Sequence, residues 1–197
     1  NLIGLAANGT TAMPNANEGI LLWSATRHNT IGGTEPGEGN VISGNGGTGV
    51  QMDTWANNNR VLGNFIGVDA TGRTVLSNGV DGVRISYWSS GNTVGGSAPG
   101  ARNVIAGNRY DGVRLTQTGV SANRVLGNYI GIDVTGTQAV PNQDRGLVIE
   151  AGASDNEVGG SNPGEGNVIS GNQTHGVGIW NVGTARNVVR GNFIGTD

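Results

Sequence analysis

The sequence predicts an all-β fold, a single solenoid of about six rungs in which each coil of the chain stacks on the coil before it. Two observations support this prediction. The segment GNFIGVD at 63–69 returns as GNYIGID at 127–133 and as GNFIGTD at 191–197. A second block, NTIGGTEPGEGNVISGN from Asn29, returns in related form from Asn92 and from Asn156. Such near-constant periods indicate a tandem array, whose units bury their apolar faces by stacking.

Each period divides into two rungs, because a glycine before alternating apolar residues recurs in steps of 30, 33, 30, 34 and 30 residues. These glycines are Gly19, Gly49, Gly82, Gly112, Gly146 and Gly176. The alternation predicts a first strand with one face toward the core. Its first inward ladder is Ile20, Val50, Val83, Val113, Leu147 and Val177. Its second inward ladder is Leu22, Met52, Ile85, Leu115, Ile149 and Ile179.

A second and a third strand follow in every rung, and each begins just after an Asn. The second-strand ladder is Ile31, Val61, Val94, Val125, Val158 and Val189. The third-strand ladder is Ile42, Ile66, Ile105, Ile130, Ile169 and Ile194. Three short strands per rung predict parallel pairing between neighbouring rungs, about 4.8 Å apart.

Two kinds of loop alternate along the array. The proline inserts, at 34–39, 97–102 and 161–166, separate the second strand from the third in alternate rungs. The long inserts, at 7–15, 70–78 and 134–142, follow the third strand in the other rungs. Loops are the places where extra residues are best tolerated. Because these inserts keep their lengths, we expect them to pack on each other or on the next rung.

Composition excludes several classes of function. Charged residues make up 13%, the net charge is −3, and all 11 basic residues are Arg. This balance favours neither a nucleic acid nor a membrane surface as partner. Cysteine is absent, which excludes disulfides and thiolate metal sites. The chain begins inside a repeat, so we interpret 1–197 as one continuous segment of a longer repeat protein, with any targeting signal outside it.

These repeats resemble the right-handed parallel β-helix family, with its pectin-lyase-like architecture. They are most similar to the NTIGG…NVISGN…NYIGTDATG arrays of very large bacterial secreted and cell-surface proteins. The resemblance covers the whole chain. It implies a single-stranded right-handed parallel β-helix of alternating 30- and 33- or 34-residue coils, and an extracellular or cell-surface location. It does not specify an activity, because the family includes polysaccharide lyases, glycoside hydrolases, adhesins and proteins without known chemistry.

The repeated Asn residues fit a structural role, because Asn tolerates tight corners and stacked amides can hydrogen-bond along the axis. One row alternates in type five residues beyond the third-strand Asn. It reads Asn45, Asp69, Asn108, Asp133, Asn172 and Asp197. Asp69 with Thr71, and Asp133 with Thr135, are candidate calcium ligands, since calcium takes carboxylate, hydroxyl and carbonyl oxygens. The alternative is a turn in which each Asp binds its own backbone. No other cofactor is expected.

The outward face of the first strand offers a candidate catalytic set. Arg84 and Arg114 lie one rung apart there, with Asp81 and Asp111 just before their strands. By resemblance, an Arg base beside calcium-holding acids would act as a polysaccharide lyase. We favour the alternative, a solvated face with cross-rung Arg–Asp pairs, because no rung departs from the repeat with clustered acids.

Four tryptophans follow the first strand closely and are candidate sugar-stacking residues. They are Trp23, Trp55, Trp88 and Trp180. The alternative is that they cover the corner turn. We therefore predict a structural or adhesive solenoid segment, which grows by adding near-identical rungs. It would associate with itself head to tail through open terminal rungs. The rival is a carbohydrate-active or sugar-binding module, with polysaccharide as partner.

Overall fold

The chain is a parallel β-solenoid, as the repeats predict. The structure, a computed structural model, describes residues 1–195 and contains 19 strands in three parallel sheets, with no α-helix in that range. We number the rungs 1 to 6 from the glycines at 19, 49, 82, 112, 146 and 176. Successive rungs are about 31 residues apart.

Each sheet collects one strand from every rung. The first-strand sheet contains β2 (Ile20–Trp23), β5 (Val50–Asp53), β8 (Val83–Ile85), β11 (Val113–Thr116), β14 (Leu147–Glu150) and β17 (Val177–Ile179). The second-strand sheet contains β3 (Thr30–Gly32), β6 (Arg60–Leu62), β9 (Thr93–Gly95), β12 (Arg124–Leu126), β15 (Glu157–Gly159) and β18 (Val188–Arg190). The third-strand sheet contains β1 (Leu2–Ile3), β4 (Val41–Ile42), β7 (Phe65–Ile66), β10 (Val104–Ile105), β13 (Tyr129–Ile130), β16 (Val168–Ile169) and β19 (Phe193–Ile194). A short 3-10 turn at Pro99–Ala101 lies in the middle proline insert.

The core is a stack of aliphatic ladders with the predicted register. Val113, for example, pairs with Val83 below and with Leu147 above. The inward Val and Ile residues of rungs 2 to 5 are fully buried in one continuous cluster. Because every strand is short and alternates, each rung adds the same few apolar side chains to this narrow core.

Three columns of stacked Asn side chains reinforce the corners. In each column the Nδ2 of one Asn donates to the Oδ1 of the next, at 2.7 to 3.1 Å. The first column is Asn29, Asn59, Asn92, Asn123, Asn156 and Asn187. The second is Asn1, Asn40, Asn64, Asn103, Asn128, Asn167 and Asn192. The third is Asn15, Asn45, Asn78, Asn108, Asn142 and Asn172.

The long inserts form small hairpins that stack on one another. Their bases are closed by antiparallel bridges, such as the one between Val68 and Val75. Successive hairpins are joined by backbone hydrogen bonds, from Ala70 N to Gly9 O at 3.0 Å and from Val134 N to Gly72 O at 3.0 Å. The expectation that these loops pack on each other is therefore confirmed.

Candidate functional site

The candidate catalytic residues form ion pairs on the first-strand face. Arg84 Nη2 lies 2.7 Å from Asp81 Oδ2, and Arg114 Nη1 lies 3.5 Å from Asp111 Oδ2. Both Asp side chains are fully buried beneath these Arg residues. Both carboxylates are thus occupied by ion pairs within the face, an arrangement that stabilises it.

The two Asp residues also connect the rungs. The backbone N–H of Asp111 donates to Asp81 Oδ1 at 3.1 Å, and that of Arg145 donates to Asp111 Oδ1 at 3.2 Å. Each carboxylate thus caps the entry of the next first strand. This hydrogen bonding explains why an acid stands immediately before the recurring Gly in rungs 3 and 4.

The ion pairs on this face also extend to neighbouring acids. Arg114 also pairs with Glu150, which lies diagonally across the next rung, and Arg145 pairs with Asp144 at 3.3 Å. Asp111 and Glu150 therefore share one guanidinium, an ion-pair network that connects two rungs. Sequence reasoning missed this pairing because it depends on how far a long Arg side chain reaches. No group of three or more acidic or His side chains within residues 1–195 is arranged to hold a metal ion.

The burial of Asp111 changes its proton affinity. Its burial, and then the charge of Asp81, raise its pKa from 3.8 to about 6, against the opposing effect of Arg145 and Arg114. A carboxyl with a raised pKa is a common component of active sites, but it also arises in buried ionic networks. Because the Asp111 side chain is fully buried, a buried ionic network is the favoured explanation here.

The raised pKa predicts that stability increases on mild acidification. Folded Asp111 takes up a proton near pH 6, whereas the unfolded chain does so near pH 4, so the folded state gains stability as the pH falls between these values. The melting temperature should therefore rise by a few degrees from pH 7 to pH 5. Asp111→Asn should remove most of this rise in a thermal melt series. An unchanged pH profile in Asp111→Asn would contradict the assignment.

The candidate calcium residues bind their own loops. Oδ1 of Asp69 accepts from the Thr71 hydroxyl at 2.6 Å, and from the N–H groups of Thr71 and Thr74 at 3.1 and 3.2 Å. Burial alone would raise the pKa of Asp69, but hydrogen bonds from Thr71, Thr74 and Arg73 lower it. Asp133 repeats the pattern, with the Thr135 hydroxyl at 2.7 Å. This geometry favours the turn-capping alternative, because N–H donors surround the oxygen that a cation would need.

The alternating row of Asn and Asp does not exist in space. Asn45 stacks on Asn78, and Asn108 on Asn142, whereas Asp69 and Asp133 lie outside this column in the long inserts. The prediction at Asp197 falls outside the described residues. A signal for the true column was present in the sequence: each of its Asn residues stands four positions before the recurring Gly.

We predict that calcium does not stabilise this chain. Asp69 and Asp133 already have hydrogen-bond donors around Oδ1, so calcium would have to break those bonds to enter. The melting temperature should be the same in chelator and in millimolar calcium. A rise of several degrees on adding calcium, abolished by Asp133→Ala, would show that the loop is a metal site.

The candidate sugar-stacking residues separate into different environments. Trp55 and Trp88 stack on neighbouring rungs, with ring centroids 5.6 Å apart and planes 10° apart, and they are 51% and 45% exposed. Trp23 is also exposed and is the last residue of β2 in rung 1. Trp180 instead lies against Gly178, donates to Glu150 at 2.8 Å and stacks on Arg145.

Trp55 and Trp88 lie at a corner with a left-handed backbone. Trp55 and Trp88 have φ of 65° and 59°, in the left-handed region that favours glycine. The matching residues of the other rungs have the same conformation, Ala25 with φ 64° in rung 1 and Gly119, Gly152 and Gly183 in rungs 4 to 6. A non-glycine residue in this conformation costs about 1 kcal/mol or more. The backbone of this corner is therefore common to all rungs, and what distinguishes rungs 2 and 3 is the pair of exposed, stacked tryptophans.

Comparison with protein-family models, curated protein sequences and solved structures finds no match to this chain. The pectin-lyase-like resemblance thus remains a sequence-based interpretation, while the structure itself shows a parallel β-solenoid built from tandem repeats. Within residues 1–195, no helix is long and apolar enough to cross a membrane.

Proposed function

We propose that this chain is a structural segment of a larger exported protein, in which it acts as a stiff spacer. The observation that supports this function is the continuity of the three Asn columns through all six rungs. Every column bond has nearly the same length, so no rung interrupts the stack. A solenoid with uniform interfaces gains length with each added rung and keeps its cross-section.

Duplication of one complete period tests the spacer function. A second copy of residues 64–127, inserted after residue 127, adds two rungs in register. Because rungs stack about 4.8 Å apart, the particle should lengthen by about 10 Å with an unchanged cross-sectional radius in solution scattering. The free energy of unfolding should also increase. A Gly/Ser insert of the same length is the control, and a thicker or less stable particle from the duplicated period would contradict the proposal.

A head-to-tail contact and an extracellular or cell-surface location belong to the same proposal. The terminal rung of any such stack presents unpaired strand N–H and C=O groups, which favour parallel pairing with another copy. Such a contact does not close and would give filaments. Light scattering over a concentration series tests the contact, and a constant molecular mass would rule it out.

Sugar binding is a second candidate, supported by the Trp55–Trp88 pair. Two nearly parallel indole rings present about half of their surface to solvent. Rungs 4 to 6 have glycine at this position, so the two large rings are not required by the corner itself. A row of exposed aromatic rings on adjacent rungs would stack on successive sugar units of an extended polysaccharide.

The test of this candidate separates binding from stability. Trp88→Gly introduces the residue that rungs 4 to 6 already have at this position, so the loss of stability should be small, within about 1 kcal/mol. Retention on immobilised polysaccharides in affinity electrophoresis should be lost. Trp180→Phe is the matched control and should leave retention unchanged. Absence of retention for the unmodified chain on any polysaccharide would reject the candidate.

A further inference from the structure

The three proline inserts share a backbone but differ at one side chain. Aligned on the Asn that follows, Glu38 in rung 1 and Glu165 in rung 5 correspond to Ala101 in rung 3. The next residue changes as well, from Gly39 and Gly166 to Arg102. The insert of rung 3 therefore has no carboxylate at the first of these positions and has a cation at the second.

In rungs 1 and 5 the Glu carboxylate is bound by its own loop. Glu38 Oε2 accepts from the N–H groups of Thr34 and Glu35 at 3.0 and 3.1 Å. Glu165 Oε2 accepts from the N–H and the side-chain amide of Asn162, both at 3.0 Å. Hydrogen bonds from Asn162 accordingly lower the pKa of Glu165. The N–H donors of the loop thus form a binding site for one carboxylate oxygen.

Rung 3 keeps this binding site without its carboxylate. The N–H groups of Ser97 and Ala98 correspond to those of Thr34 and Glu35, and neither donates to an acceptor within residues 1–195. The residue before this pair is glycine in both inserts, Gly33 in rung 1 and Gly96 in rung 3. A Cβ on Gly33 would lie 2.1 Å from Glu38 Oε2, but a Cβ on Gly96 would meet nothing closer than Ala101 Cβ at 3.1 Å.

Arg60 lacks the acidic partners that its counterpart in the next repeat has. Its counterpart Arg124 pairs with Glu157 at 2.9 Å and with Glu165 at 3.4 Å. At the positions that would face Arg60, the acids are replaced by Thr93 and Ala101. Arg60 has no ion pair within the part of the chain that the structure describes.

These groups line one cavity. It has a volume of about 280 Å³, and Arg60, Thr93, Ser97, Ala98 and Ala101 contribute to its wall. The Arg124–Glu165 ion pair closes the far side, so the local charge of that wall is balanced. Ser97 and Ala98 are exposed, which leaves the cavity open to ligands from solution.

We propose that this cavity binds a carboxylate group, which takes the place of the missing Glu side chain. One oxygen would accept from the Ser97 and Ala98 N–H groups, as Glu38 does in its loop. The other would face the Arg60 guanidinium, as Glu165 faces Arg124. Charge-assisted bonds of this kind are the strong ones, and consecutive backbone N–H groups form natural anion sites. The carboxylate belongs either to a small free acid or to an acidic side chain of a peptide partner. This inference does not depend on the proposed spacer function.

The test is a titration of the ¹⁵N-labelled full chain with sodium acetate at constant pH and ionic strength, balanced with chloride. The amide signals of Ser97 and Ala98 should shift in a saturable way. Those of Thr34 and Glu35, whose loop has its own Glu38, should not. Arg60→Gln should weaken binding by roughly tenfold, the loss expected for one charged hydrogen bond. Ala101→Glu should abolish the response and raise the melting temperature.

A short peptide with one Glu and blocked ends identifies the source of the carboxylate. Tighter binding of this peptide than of acetate assigns the site to a peptide partner, and equal binding assigns it to a free acid. The proposal is overturned if Ser97 and Ala98 show no saturable shift with either probe, or if Ala101→Glu leaves the shifts unchanged. Arg60→Gln gives an independent answer if Ala101→Glu does not fold.

Discussion

Replacing Asn103 with alanine should lower the free energy of unfolding by about 3–5 kcal/mol, because it breaks an Asn column in the middle. Asn103 is fully buried. Its Nδ2 donates to Val61 O at 2.8 Å and to Asn128 Oδ1 at 2.9 Å, and its Oδ1 accepts from the backbone and side chain of Asn64 at 2.9 and 3.1 Å. Alanine leaves several buried partners without a hydrogen bond, and each such group costs about 1–3 kcal/mol.

Urea unfolding followed by circular dichroism measures this effect. The matched control is Asn8→Ala in the first long insert, where the Asn is exposed and its side chain bonds to Thr10 and Thr11 of its own loop. That variant should lose no more than about 1 kcal/mol. Similar losses in the two variants would show that the columns do not support the fold.

Ile105→Ala should destabilise the chain by about 2–5 kcal/mol, through lost apolar burial and the cavity that remains. Ile105 is fully buried on the third-strand ladder and pairs with Ile66 and Ile130 of the adjacent rungs. The rungs above and below fix the backbone, so the cavity cannot collapse easily.

The control for the core is Thr93→Ala, at a partly exposed position that precedes the buried Val94. Its loss should be within about 0.5 kcal/mol by the same urea measurement. Equal losses at Ile105 and Thr93 would mean that the assigned inward and outward faces are wrong.

The core could be predicted residue by residue because strand alternation states directly which side chains face inward. Val94 and Ile105 lie two residues after an Asn in their own strands, and both are buried as that rule requires. The prediction that Asp69 and Asp133 belong to one row with the Asn residues was wrong. Counting five residues forward from the third-strand Asn ends at a long insert in those rungs. Counting back from the next Gly finds Asn78 and its column.

The surface sites were less predictable, because they depend on side-chain reach and on backbone conformation. Arg114 and Glu150 are 36 positions apart in the chain and meet diagonally on adjacent rungs. The sequence places Trp180 with the other candidate sugar-stacking tryptophans. Its ring instead lies against Gly178 of its own strand and donates to Glu150. The change from Glu to Ala101 is visible in the aligned repeats, but only the hydrogen bonds of Glu38 and Glu165 reveal what it means.

The direction of the bonds between rungs also determines how this molecule would respond to tension. All three sheets pair one rung with the next, so their hydrogen bonds run along the solenoid axis. A force applied along that axis loads the bonds of one rung at a time, as in unzipping. Each rung that opens releases about 31 residues, or roughly 100–110 Å of extended chain. The segment would therefore lengthen in uniform steps under load, and each released coil could close again on the intact rung beneath it.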